Sequence, residues 1–515
     1  VTRLLFVLIL ISLLTNACGP QGSPLQSPVS PAGAGPYYPL PLTETPTAPA
    51  ATPFSVLPLP GTPTPGSLPT PTLPAVNTAG PMLVLQSSGG ETLNIIAARA
   101  NVSVAEIISD SILPAPNSLL PPGLLLLLPN RLPANLSPAL QILPDAEVVY
   151  SPTATGFNAQ DYVTQQNGYL RTYREYLASK AWQSGAQMLQ SVAEDNSVNP
   201  RLLLALLEYQ SGWVRGQPLD FVQNDYPMGN ISFQQRGYFQ QLVWAASQLS
   251  VGYYGWRSGK LTEISFPDGS TLRLNPKLNA GSVALMYLFA KLYDRPLWEN
   301  ALQRFAPLYA EMFGDPWERA DALGPLLPAG LAQPPLELPF EPGAIWSFSG
   351  GPHSAWEHEG ALAALDFAPA SASGGCVPSD AWVAAPADGV VVRTGEGVLI
   401  LDLDGDGNEQ TGWNLLFLHL SDKDKPAVGS RLRKDDRLGH PSCTGGVATG
   451  THLHLVRKFN GEWALAEGPL GFNLGGWQAV DGEEPYKGLL VNGSQSIEAC
   501  PCGSYETRIS RLPSP

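Results

Sequence analysis

The chain has 515 residues, 44% of them hydrophobic, which is ordinary for globular protein and long enough for about three or four domains. Its 29 basic residues against 44 acidic ones give a formal charge of -15, which argues against nucleic acid as a partner, because phosphate binding needs a basic surface. The 52 prolines exceed what compact domains use, and many are concentrated in one stretch.

Val1-Thr2-Arg3 followed by the apolar run Leu4 to Leu14 is too short for a membrane span and reads as an export signal. Thr15-Asn16-Ala17-Cys18-Gly19 resembles the cleavage and lipidation box of bacterial lipoproteins, which implies acyl chains on Cys18 and an exported, extracytoplasmic protein held to a membrane by lipid. Residues 19–81 are rich in Pro, Thr, Ser and Ala, with Thr62-Pro63-Thr64-Pro65 and Pro69-Thr70-Pro71-Thr72 as small repeats. Such a segment cannot bury a core and works as a semi-rigid spacer.

Residues 82–130 read as a strand at Met82 to Leu85, helices at Asn94 to Ala100 and Val104 to Ser109, and a closing apolar run at Leu124 to Leu128. This β-α-α-β order, with Gly90-Glu91-Thr92-Leu93 at its entry, resembles the lysin motif, and the resemblance implies binding to the glycan of bacterial cell wall. Ser111 and Ile112 depart from the motif in its loop.

Residues 150–327 read as an all-α domain. Leu202 to Leu207 is apolar all round and so belongs to a central buried helix, with Asn199-Pro200 opening it. Leu204 to Gly212 resembles the active helix of lysozyme-like lytic transglycosylases. Gln210 stands where that family has its acid, and an amide cannot deliver a proton. Glu208 lies two residues away, about 200° round the helix. The expectation is a non-catalytic glycan-binding relative or a plain helical spacer.

A proline-rich stretch, 328–342, reads as a hinge, followed by an antiparallel all-β domain at 343–490 and a tail at 491–515. Near the end of the β domain, Thr451-His452-Leu453-His454-Leu455 alternates in the manner of a strand, so both imidazoles share one face. One of them can bind zinc while its neighbour reaches a water on the metal. Asp366 interrupts the apolar run Ala363 to Ala368, where an unpaired carboxylate is costly and a divalent cation compensates it. With His353 after Gly351-Pro352, the set His353, Asp366 and His454 makes a three-ligand zinc site with one open position. His419 adds a further imidazole in the run Leu415 to Leu420.

Taken in order, His353, Asp366, the segment Trp382 to Val391, His419 and Gly450-Thr451-His452-Leu453-His454 resemble the lysostaphin-type zinc metalloendopeptidases, over about residues 340–480. The resemblance implies His353, Asp366 and His454 as ligands, with His419 and His452 beside the attacking water, and peptide cross-links of peptidoglycan as substrate. The family places its first histidine four residues before the aspartate, and here thirteen separate them, so Ser354 to Ala364 must loop out. His358 is the nearer alternative; the fixed turn at Gly351-Pro352 favours His353. A second reading is a wall-binding scaffold or hydrolase activator without catalysis, from which the complete set of five side chains distinguishes the enzyme.

Asp402, Asp404 and Asp406 have the opening spacing of a calcium loop, but position twelve is Trp413, so an acidic hairpin turn is the favoured account. Cys376 and Cys443 flank the predicted site loops and are expected to pair, as an exported protein allows. Cys500 and Cys502 have no assigned role. The four cysteines lack the two-plus-two spacing of a zinc site.

Overall fold

The computed structural model describes residues 80–178, 180–356, 358–370 and 374–512. The export signal, the Cys18 box and the spacer up to residue 79 lie outside the described residues. No helix among the described residues is long and apolar enough to cross a membrane.

The first region pairs strands Met82–Gln86 and Leu125–Pro129 antiparallel. The helix Leu93–Ala100 packs Leu93, Ile96 and Ala97 against Leu85, Leu126 and Leu128. Thr92 caps it by accepting from the Ile95 amide, and Asn101 ends it in the left-handed conformation. The expected second helix is only a 3-10 turn, Val104–Glu106. Ile107 is already extended, and Ile108 bridges to Leu127, so pairing to the strand claims the backbone after one turn.

This region does not stand alone. Arg99 is buried, ion-paired to Glu91, and donates to the Trp256 carbonyl at 2.8 Å. Arg257 reaches three regions at once: the Gly89 carbonyl at 2.9 Å, Asp145 at 3.0 Å and Glu462 at 2.9 Å.

In the middle region the helices Gly185–Asn196, Pro200–Ser211, Tyr238–Arg257, Ala280–Leu292 and Arg295–Phe313 share one core. Leu202 to Leu207 are all buried, as an apolar-all-round helix requires, and Asn199 caps the first turn. The region is not all-α. Arg174–Leu177 pairs with Ala181–Ser184, and Glu263–Ser265 with Thr271–Arg273. Pro267-Asp268-Gly269 supplies the second turn, with Gly269 at φ +83°.

The last region is built on a nine-stranded antiparallel sheet in the order 431–432, 389–395, 398–402, 413–418, 453–459, 362–369, 345–354, 508–510, with 462–463 added beside 453–459. Side chains alternate between two cores. Leu365, Phe367, Leu399, Leu401, Leu415, Phe417, Leu453 and Leu455 face the β side. Ala364, Val398, Ile400, Leu416, Leu418 and Val456 face the helices and join their core. A sheet covered on both faces explains why Trp413–Leu418 is buried throughout and why Leu415 to Leu418 is apolar without alternation.

Two boundaries need correction. The 328–342 hinge is no hinge: Leu336, Leu338 and Phe340 alternate into the β core, and the Glu337 amide bonds the Pro386 carbonyl. The expected 491–515 tail is, over its described residues up to 512, likewise integral. Gln495–Glu498 completes a four-stranded sheet with residues 473–492, and Arg508–Ser510 pairs with 345–354 through buried Ile509.

Candidate metal centre

Two adjacent strands carry the triad. His454 lies directly across from Asp366 in the pairing of Leu453–Phe459 with Leu362–Pro369, on the face that carries Val456 and Ala364 toward the helices. The neighbouring strand Ile345–Ser354 shifts register between Phe348 and Gly350 and again between Gly350 and His353. These bulges re-aim His353, which then meets the other two. Gly350 sits opposite Asp366, where an added Cβ would come 2.6 Å from the Asp366 Oδ2, so the carboxylate fills the room a side chain would take. The expected loop-out of Ser354 to Ala364 is shorter in the structure: Ser354 and Leu362 to Ala364 stay in paired strands, and the excursion between them is seated on the 238–257 helix, where the Ser250 hydroxyl accepts from the Ala361 amide at 3.3 Å.

Hydrogen bonds fix which ring nitrogen faces inward. A carbonyl only accepts, so His353 Nδ1 donates to the Gly351 carbonyl (2.8 Å) and His454 Nε2 donates to the Ala355 carbonyl (3.0 Å). His353 Nε2 and His454 Nδ1 are left facing each other at 3.0 Å, and they lie 3.3 and 3.2 Å from Asp366 Oδ1. Zinc–ligand bonds of about 2.0–2.1 Å at tetrahedral angles put donor atoms about 3.3 Å apart, so this triangle has the size of one face of a zinc tetrahedron. Asp366 Oδ1 is buried with no hydrogen-bond partner. An orphaned carboxylate oxygen between two imidazole lone pairs is satisfied by a cation. The donor set therefore fits the zinc that the sequence implied.

The two further histidines flank the triad. His419 Nδ1 donates to the Thr444 carbonyl (3.1 Å) and His452 Nδ1 to the Gly450 carbonyl (2.7 Å), so each ring keeps its Nε2 for other work. Their ring centroids are 4.5 Å apart, and His452 Nε2 lies 3.8 Å from Asp366 Oδ2. His419 is held at φ +64°, a conformation unusual for any residue but glycine and found where a site over-determines the backbone. Burial, reinforced by His452 and His454, pushes its pKa down to about 3, so it is neutral at physiological pH.

All five side chains line one cavity of about 670 Å³. His358 reaches the same cavity from the 355–361 loop but is exposed and outside the group that could hold a metal ion. Cys376 and Cys443 form a disulfide that ties the two loops bordering the site, and Cys500 and Cys502 are also joined. Reading the sequence missed Tyr486. Its ring stacks on His353 with centroids 4.1 Å apart, and its backbone is at φ +69°. It comes from a loop between strands, where no periodicity marks it.

Asp402, Asp404 and Asp406 cluster elsewhere. Asp402 is buried and accepts from the Asp404, Gly405 and Gly407 amides at 2.8–3.1 Å, the bonding of a turn, and calcium has no support here. In the 200–211 helix, Glu208 accepts from the Val214 and Arg215 amides and from the Arg215 guanidinium, each at 3.0 Å. Gln210 accepts from the Tyr293 hydroxyl at 2.6 Å. Both side chains are engaged in holding the helix to its neighbours.

Residues 141–328 match the family model described as the N-terminal domain of LasA. The chain is 27% identical over 361 residues to Protease LasA of Pseudomonas aeruginosa strain UCBPP-PA14, aligning 65% of this chain with 78% of that protein. The helical region thus has a likeness that the lysozyme-like expectation did not anticipate. Among solved structures, one described as a novel M23 metalloprotease, pseudoalterin, from the deep sea is 21% identical, covers 33% of this chain and 96% of its own, and has a TM-score of 0.28. The catalytic domain of the antimicrobial peptidase lysostaphin from Staphylococcus simulans is 20% identical, covers 24% of this chain and 89% of its own, and has a TM-score of 0.17.

Proposed function

We propose that the chain is a zinc metalloendopeptidase that hydrolyses amide bonds in the peptide portion of peptidoglycan. The observation that carries this reading is the convergence of His353 Nε2, His454 Nδ1 and the unpartnered Asp366 Oδ1 at 3.0–3.3 Å, with His419 and His452 beside them. Its similarity to Protease LasA supports the peptidase class. The likeness of its landmarks to lysostaphin-type enzymes supports the substrate.

His353, Asp366 and His454 would hold the metal. When bound, zinc supplies Lewis acidity for the scissile carbonyl and brings the pKa of a water ligand down toward about 7. The Gly351 and Ala355 carbonyls orient the two ligand rings. His452, its Nδ1 fixed by the Gly450 carbonyl, presents Nε2 beside Asp366 and takes the proton of the attacking water. His419, neutral and fixed by Thr444, faces the same space and orients the water or the developing oxyanion. The chain's outer modules hold wall glycan, and Cys18 carries the lipid that keeps the enzyme at a membrane.

His454→Ala should remove zinc and hydrolysis together. His452→Ala should keep zinc and lose turnover about 10²–10⁴-fold. Zinc stoichiometry and release of soluble muropeptides from purified wall are the measurements. Full hydrolysis by either variant contradicts the assignment. A non-catalytic scaffold has no need of five correctly aimed side chains.

A further inference from the structure

The catalytic cavity does not end at the metal centre. A second cavity of about 570 Å³ adjoins it, and six residues line both: Lys180, Ser191, Asp195, Trp356, Gly445 and Gly446. One wall of the passage is the helix Gly185–Asn196, which contributes Ser191 and Asp195. Another wall is the loop next to the Cys376–Cys443 disulfide, which contributes Gly445 and Gly446; a Cβ on Gly445 would come 2.6 Å from the Glu396 carbonyl, so this loop packs closely on the 395–398 turn. Beyond the passage lie Arg393 and Thr394 of the sheet and Glu396 of the turn that follows them.

The walls are held in place. Arg393 reaches across to Asp195 at 2.7 Å while its Nε pairs with Glu409 at 3.0 Å. The Trp463 indole donates to the Asn196 carbonyl, and the Ser197 hydroxyl donates to the Gly461 carbonyl. Helix and sheet share one apolar core directly behind these contacts. Ser191, Asp195, Lys180, Trp356 and the Gly445-Gly446 backbone thus line an opening from the metal centre into the second cavity. A peptide seated across the metal centre has that opening as a path for the rest of its chain.

We infer that the helical domain supplies a substrate subsite. The peptide on one side of the scissile bond runs between Ser191 and Gly445-Gly446 into the second cavity. The helical domain therefore selects a peptide whose chain continues beyond the cleaved bond over a short or terminal one. This deepens the peptidase reading and rests on it.

The test places a bulky ring in the groove from either wall, as Ser191→Trp on the helix and Thr394→Trp in the second cavity, in the full chain loaded with zinc. Substrates are a cross-linked stem-peptide dimer prepared from purified peptidoglycan and the single uncross-linked stem peptide. The expected result is a rise of about tenfold in KM for the dimer relative to the single peptide in both variants, with kcat and zinc content retained. Equal kinetic effects on the two substrates, or none, overturn the inference. If the zinc-loaded wild type cleaves neither substrate, the peptidase reading fails by itself. The groove is then read from anisotropy of a fluorescein-labelled dimer, where tighter binding to wild type than to Ser191→Trp supports it and equal or absent binding overturns it.

Discussion

Asp366 and Asp402 are both buried aspartates on strands of one sheet, each preceded by apolar residues. They differ in what meets their oxygens. Asp402 accepts three backbone amides, so its charge is spent on a turn. Asp366 keeps Oδ1 without a donor and faces two imidazole nitrogens. A buried carboxylate marks a site when the protein withholds its hydrogen bonds, and marks structure when it supplies them.

The comparison breaks most sharply if each aspartate is neutralised. Asp366→Asn should drop zinc content below about one tenth of wild type and abolish hydrolysis, since metal affinity depends on a deprotonated donor set. Retained zinc would remove Asp366 from the ligand set. Asp402→Ala should do the reverse. Zinc content holds while stability falls by about 2–4 kcal/mol, because buried amides lose their acceptor, as read by denaturant unfolding.

A smaller effect tests the room left around Asp366. Gly350→Ala places a methyl against Oδ2, and zinc affinity measured by competition with a chelator should weaken about 10–100-fold while the fold persists. The smallest effect sharpens the acidic turn. Burial, then the hydrogen bond and charge of Asp402, pushes the Asp404 carboxyl up to about 7, against 3.8 for an ordinary aspartate. Between those values the folded state holds the extra proton, so wild-type stability declines as pH rises from about 4 to about 7. Asp404→Asn should flatten that slope, and unchanged midpoints across the range would disconnect Asp404 from it.

Much of the centre was legible before any coordinates. The two-residue spacing of His452 and His454 set one face, and a lone aspartate in an apolar run announced a compensated charge. The thirteen-residue gap between His353 and Asp366 was legible only as a loop-out. The bulges at Gly350 and the seat of residues 355–361 on Ser250 depend on the neighbouring strand and helix, and no local pattern encodes either. The proline-rich 328–342 stretch was misread for the opposite reason. Leu336-Glu337-Leu338-Pro339-Phe340 does show period-two alternation, but the prolines masked it. The second helix of the first region failed because propensity at Val104 to Ser109 yields to pairing of Ile108 with Leu127.

Arg257 has a consequence for how such a chain can be rebuilt. One guanidinium is shared between the Gly89 carbonyl, Asp145 and Glu462, which come from the beginning, middle and end of the described fold. Grafting any one of these regions onto a foreign enzyme, or exchanging it for a counterpart, strands a buried cation and its remaining partners together. Exchanging one region therefore requires matching changes at the Arg257 partners in the other two.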